Sequence, residues 1–154
     1  MIATLFGIGY CPRIPGTVAS LTAIPACWHL SALGFGWYAP VAVGLAALAI
    51  PICGRAAEDL RDPDPPVIVL DEVVGQMIAF SPLSIACLTD HRSMPFLIAA
   101  FVLFRLFDIR KPGWIRAAEK LRGGWGIVLD DALAGLGAAV ILAGLAVVIP
   151  KLPG

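Results

Sequence analysis

The sequence predicts an all-α fold: a polytopic membrane helical bundle of about five transmembrane or membrane-embedded helices with a basic cytoplasmic loop. Three observations carry that expectation. The chain is 59% hydrophobic and only 14% charged, with a mean hydropathy of +0.88, against roughly 25% charged for an ordinary soluble domain. Between Arg13 and Arg55 stand 41 residues without Asp, Glu, Lys or Arg, too long for one crossing and enough for two. The acids gather at the edges of apolar runs, as Asp71-Glu72, Asp108 and Asp130-Asp131. The 154 residues suit one domain over 1–154, and no internal repeat divides them.

Taken in order, the uncharged opening Met1 to Gly9 has no basic segment followed by a cleavage site, so the first helix is expected to serve as an uncleaved insertion signal. The long apolar stretch then reads as a hairpin, turning at Gly34-Phe35-Gly36-Trp37-Tyr38, with Pro25 and Pro51 as candidate kinks. Gly54 to Leu70 reads as a polar connecting loop, and Val73 to Thr89 as a third apolar run opened by Asp71-Glu72. A short loop at Asp90-His91-Arg92 leads to a fourth run from Met94, where Arg105 and Asp108 lie three apart and share a helical face. Ile109 to Leu129 reads as a basic loop. The fifth helix starts at Asp131 and carries a small-residue stripe at Gly135, Ala139 and Ala143.

Five alternating crossings put eight Lys and Arg on one side and only Arg92 and Lys151 on the other. The basic side is therefore expected to be cytoplasmic. The same alternation brings Asp71, Glu72, Asp108, Asp130 and Asp131 to the cytoplasmic ends of three helices, although the charge count does not require it. Like charges at a membrane edge are costly without a counter-ion. Hard oxygen donors without His or Cys partners select Mg²⁺, Mn²⁺ or Ca²⁺ over zinc. Arg105, Arg110 and Lys111 stand beside the acids, as an anionic group also held by a metal requires, and a phosphate ester fits best. Glycines at 7, 9, 16, 123, 124 and 126 would let backbone N–H groups approach its oxygens.

Several classes are excluded. Equal numbers of acidic and basic residues leave no net charge and argue against a nucleic-acid partner. Cys11, Cys27, Cys53 and Cys87 form no Cys-x-x-Cys pair and read as small core residues. No cysteine has an arginine six residues on, and both histidines lie away from the acids, so phospho-cysteine and phospho-histidine chemistry are absent. Asp62-Pro63-Asp64 matches Asp-x-Asp only superficially, because it follows a charged stretch and not a buried strand. Metal-assisted attack remains, with water favoured over an aspartate as the nucleophile and a carboxylate as general base. An ion-coupled transporter is the alternative; against it, the acids lie at one face and no inverted repeat is present. A scaffold whose basic loop binds anionic headgroups is a third possibility.

Four blocks occur in order: Gly7-Ile8-Gly9 with Pro12-Arg13-Ile14-Pro15-Gly16-Thr17 and Ser20; Ile68 to Gln76 around Asp71-Glu72; Phe104 to Pro112 around Arg105, Asp108 and Lys111; and Gly123-Gly124-Trp125-Gly126-Ile127-Val128-Leu129-Asp130-Asp131 with Ala134-Gly135. Together they resemble the phosphatidylglycerophosphatase A family over nearly the whole chain. The resemblance implies a multi-pass protein of the bacterial inner membrane whose active site faces the cytoplasm. Its activity would be Mg²⁺-dependent hydrolysis of the phospholipid phosphatidylglycerophosphate to phosphatidylglycerol. Asp71, Glu72, Asp130 and Asp131 would then be metal ligands; Glu72, Asp108 and Asp131 catalytic; Arg105, Lys111 and Gly124 substrate-binding. Asp64 would match a further acidic position. Arg13 and Gly113-Trp114 depart from the expected pattern without touching an acid, and oligomeric state is left open.

Overall fold

The computed structural model describes residues 1–85 and 94–148. A short 3₁₀ segment at Leu5–Tyr10 precedes six α-helices: α1 Pro15–Ser31, α2 Phe35–Leu60, α3 Leu70–Ile85, α4 Met94–Arg110, α5 Gly113–Glu119 and α6 Gly124–Val148. Among the described residues there is no strand. The helical hairpin is present, but its turn is tighter than expected. α1 runs to Ser31, and α2 begins at Phe35, just after Gly34 at φ 80. Phe35 to Tyr38 thus form the first turn of a helix, and Tyr38 is fully buried, its hydroxyl donating to the Met77 carbonyl of α3 at 2.7 Å. Both helices run through Pro25, Pro40 and Pro51.

Of the two expected loops, 54–70 is helical in nearly half its length and 109–129 in most of it. α2 extends through Arg55 to Leu60, so the connection to α3 is only 61–69. Between α4 and α6 the amphipathic α5 buries Ile115 and Ala118 against the bundle. α6 starts at Gly124, seven residues before its expected start at Asp131. A loop at 90–92 falls outside the described residues.

Two helices, Phe35–Leu60 and Gly124–Ala146, are long and apolar enough to cross a membrane. α1, α3 and α4 have 17, 16 and 17 residues, about 24–26 Å of helix against a hydrocarbon core of about 30 Å. The all-α bundle expected is present, and two of its helices have the length and composition of a span. Large apolar side chains face outward on the flanks of the bundle, among them Val43, Leu48, Ile98, Val102 and Val140.

α3 lies at the centre, packed against α1, α2, α4 and most extensively α6. The approach of α3 to α6 depends on glycine. A Cβ on Gly75 would sit 2.7 Å from the Asp131 carbonyl oxygen and inside the ring edge of Phe104; one on Gly135 would run into the Gly75 carbonyl. The small-residue face of α6 therefore comprises Ala134, Gly135, Ala138 and Ala139, all buried, whereas Ala143 is exposed and outside it. This is the close backbone approach that small residues permit between apolar helices.

Candidate active site

Asp71 stands four residues before Gly75, and Asp131 four before Gly135. Residues at that spacing share a helix face, so the glycine contact brings the faces carrying the two aspartates together one turn nearer the helix starts. Both line a hollow of about 440 Å³ with Asp64, Glu72, Asp108 and Asp130, and with the cations Arg13, Arg105 and Lys111. The hollow lies at one end of the bundle. The starts of α1, α3 and α6, the end of α4 and the 61–69 connection meet there. The expected convergence of acids from three helices is present, joined by α1 and by Asp64. Asp71, Asp130 and Asp131 lie well below the surface, keeping 9, 6 and 3% of their exposure, whereas Glu72 and Asp108 are half-buried and Asp64 is exposed.

Glu72 occupies space that Gly16 leaves open at the start of α1, since a Cβ there would overlap its carboxylate. Arg105 Nη1 lies 2.7 Å from Asp108 Oδ2 and 3.7 Å from Glu72 Oε1, as the shared face of residues 105 and 108 predicts. Lys111 follows directly on α4, its backbone turned to φ 39. Its ammonium donates to Asp130 Oδ2 at 2.7 Å and to Glu119 Oε1 at 3.2 Å. Partial burial works to lower the Lys111 pKa, but the hydrogen bond and charge of Asp130, joined by Glu119, outweigh it and raise it above the ordinary lysine value. Loss of solvent holds the Asp64 carboxyl above the usual range, with Lys111 opposing. Asp130 accepts from the Asp131 N–H at 3.0 Å and sits inside α6, so it does not cap the helix.

Not every expected site residue reaches the hollow. Gly124 packs against the Ile50 carbonyl and Gly54 N–H of α2, where a Cβ would collide, and it lines no part of the hollow. It sets a helix crossing in place of contacting an anion. Gly9 likewise packs on the Val67 carbonyl, and Arg110 is exposed outside the lining. Gly123 and Gly126 border a second hollow of about 440 Å³, which shares Asp64 and Asp130 with the first and is walled by Lys120 and Arg122. His29 Nδ1 lies 2.7 Å from the Pro25 carbonyl on α1, and His91 is outside the described residues. Cys27 and Cys53 are buried and unpaired, Cys11 is partly exposed, and Cys87 is outside the described residues. Thr17 and Pro65, both in the lining, were given no site role from the sequence. Neither carries a charge signal that would have marked it.

A cleft of paired acids and bases at the end of a strongly apolar helical bundle defines the class: a helical protein with a polar site for a charged group presented beside apolar surface. The chain belongs to the phosphatidylglycerophosphatase A family, whose model matches residues 1–146. It is 34% identical over 143 residues to an Escherichia coli K12 protein named phosphatidylglycerophosphatase A, covering 92% of this chain and 80% of that one. It is 35% identical over 144 residues to the Haemophilus influenzae protein of the same name, covering 92% and 85%. A Bacteroides thetaiotaomicron protein, whose name makes it a candidate phosphatidylinositol-3-phosphatase, is 36% identical over 147 residues, covering 93% and 90%. No solved structure matches it.

Proposed function

We propose that this chain hydrolyses the terminal phosphomonoester of phosphatidylglycerophosphate, giving phosphatidylglycerol and inorganic phosphate, with Mg²⁺ and at the cytoplasmic face of a membrane. The observation that carries this reading is the charge make-up of the hollow. Six carboxylates and three cations line it, a formal balance of three negative charges before any ligand enters. A dianionic phosphate is repelled by that balance unless a divalent cation accompanies it. Asp71 Oδ1, Glu72 Oε2 and Asp131 Oδ2 are buried with no hydrogen-bond partner among the described residues, a costly state for anionic oxygen. Oxygen-only donors of this kind suit Mg²⁺. Among the described residues no three such side chains already stand in a metal-holding arrangement.

In this reading Asp71, Asp130 and Asp131 would hold the metal, which would supply charge neutralisation for the phosphate and a lowered pKa for water. Arg105 and Lys111 orient the phosphate oxygens. Asp108, ion-paired to Arg105, fixes that guanidinium. Glu72 Oε2, with no partner of its own, accepts the proton of the attacking water. Water oxygen bonds to phosphorus, the bond from phosphorus to the glycerol oxygen breaks, and that oxygen takes a proton from solvent at the open mouth. The outward apolar flanks and the two long helices support placement in a bilayer, and the eight basic residues at the site's end support a cytoplasmic mouth. A carrier would want its acids at the waist of the bundle; here they lie at one end.

The test is phosphate release by purified protein in mixed micelles from phosphatidylglycerophosphate, phosphatidylinositol-3-phosphate and phosphatidic acid, with Mg²⁺ and with EDTA. Release from the first, lost in EDTA and regained with Mg²⁺, is expected. No release from any of the three ends the reading; release unaffected by EDTA removes the metal from it.

A further inference from the structure

Three cations line the hollow, and two are engaged. Arg105 is held by Asp108 and Glu72, and Lys111 by Asp130 and Glu119. Arg13 makes no ion pair among the described residues, although it lines the same space. It lies at the mouth and not the floor: it is exposed, in the link between the 3₁₀ segment and α1, whereas Asp71, Asp130 and Asp131 are buried below. Its backbone is held at φ 74, a left-handed conformation that a non-glycine residue seldom adopts. The other exposed residues of the lining are Ile14 at 54%, Ile109 at 72%, Pro66 and a single carboxylate, Asp64. A free guanidinium at a mouth that also exposes two isoleucines is a rim for an anion attached to acyl chains.

The space also exceeds what one phosphate needs, at the volume of roughly fifteen waters. Phosphatidylglycerophosphate carries two phosphates: the monoester that is removed, and a diester joining the headgroup glycerol to the diacylglycerol. With the monoester on the buried acids and their cation, the diester lies towards the lipid, at the mouth.

We propose that Arg13 binds this second, diester phosphate and thereby selects lipid phosphomonoesters bearing a diester over phosphatidic acid, whose single phosphate is joined directly to the diacylglycerol. The inference rests on the proposed lipid-phosphatase activity. Arg13 is a specificity residue; it takes no part in bond breaking.

The experiment compares wild type, Arg13→Gln, Arg122→Gln and Arg55→Gln on phosphatidylglycerophosphate and phosphatidic acid in uncharged micelles. Arg122 represents the second hollow, and Arg55 is an exposed arginine lining neither. For Arg13→Gln we expect KM on the diester-bearing lipid to rise about tenfold, the scale of one charge-assisted hydrogen bond at a partly exposed site, with kcat within twofold and phosphatidic acid hydrolysis unchanged. Arg55→Gln should match wild type on both. An equal change on both lipids makes Arg13 a general surface attractor and overturns the inference, as does no change on either. Selectivity loss in Arg122→Gln and not in Arg13→Gln assigns the diester to the second hollow and also overturns it. If wild type releases no phosphate from either lipid, the proposed activity itself falls, a result distinct from all of these.

Discussion

Gly75→Ala tests whether the α3–α6 crossing positions the acids. The added methyl meets the Asp131 carbonyl oxygen at 2.7 Å and the buried Phe104 ring. Normal contact for such atoms is about 3.5 Å or more, so the backbones must part by close to 1 Å, because a carbonyl on a helix cannot rotate away. Overpacking of this kind costs about 1–3 kcal/mol. A displacement near 1 Å at a reacting centre costs about 100-fold in rate. Asp71 lies one turn from the contact and Asp131 supplies the carbonyl that is met, so activity should fall further than stability does. Gly135→Ala, which meets the Gly75 carbonyl, should behave alike. Gly44→Ala and Gly144→Ala have nothing within 4 Å of the new methyl and should keep full activity. The assays are thermal unfolding in detergent and phosphate release from micelles. Gly75→Ala with wild-type turnover and an unchanged melting temperature would falsify the idea that this contact sets the geometry of the site.

Four further outcomes are expected. Asp131→Asn should lower phosphate release at least about 100-fold, since several kcal/mol of metal-derived stabilisation are at stake. It should leave unfolding temperature unchanged or higher, because a buried, unpaired charge is removed; a variant that loses both together speaks for a structural role. Lys111→Met should cost about 1–3 kcal/mol through the unpaired Asp130 carboxylate. The folded-state Lys111 pKa is raised, so its contribution is fully present below the ordinary lysine value near 10.4 and is lost only above it. The deficit should accordingly be equal at about pH 6 and about pH 9, and a deficit that shrinks between them contradicts the assignment. Gln76 is fully buried with neither amide atom partnered among the described residues. Gln76→Leu should then raise stability by about 1–2 kcal/mol in chemical unfolding, and destabilisation would mean that a bound water or ligand satisfies the amide. In a Cys87→Ser background, an impermeant maleimide should label Cys11 only in inverted membrane vesicles, with buried Cys27 and Cys53 silent in both orientations; labelling of right-side-out vesicles reverses the proposed topology.

The parts of the site legible in the sequence were those that depend on a short local period. Arg105 and Asp108 share a face because three residues make nearly one turn, and their ion pair at 2.7 Å follows from that. Asp71 and Glu72 open α3 as expected, since acids suit a helix start. Helix boundaries were less legible where charge was taken for loop. Arg55, Glu58 and Asp59 ride on the last turns of α2, and Ile127 to Leu129 belong to α6, because a helix that leaves an apolar layer can continue as an amphipathic one. Gly124 illustrates the deeper ambiguity. A glycine beside acids and bases has the same local signature whether its bare backbone meets a phosphate or another helix, and only the position of α2, set by residues seventy places earlier in the chain, makes it a packing residue. The Asp-x-x-x-Gly spacing at Asp71 to Gly75 and again at Asp131 to Gly135 did hold long-range information. Each glycine marks where a helix is touched, each aspartate stands one turn above on the same face, and two such helices in contact must present their carboxylates to a common space.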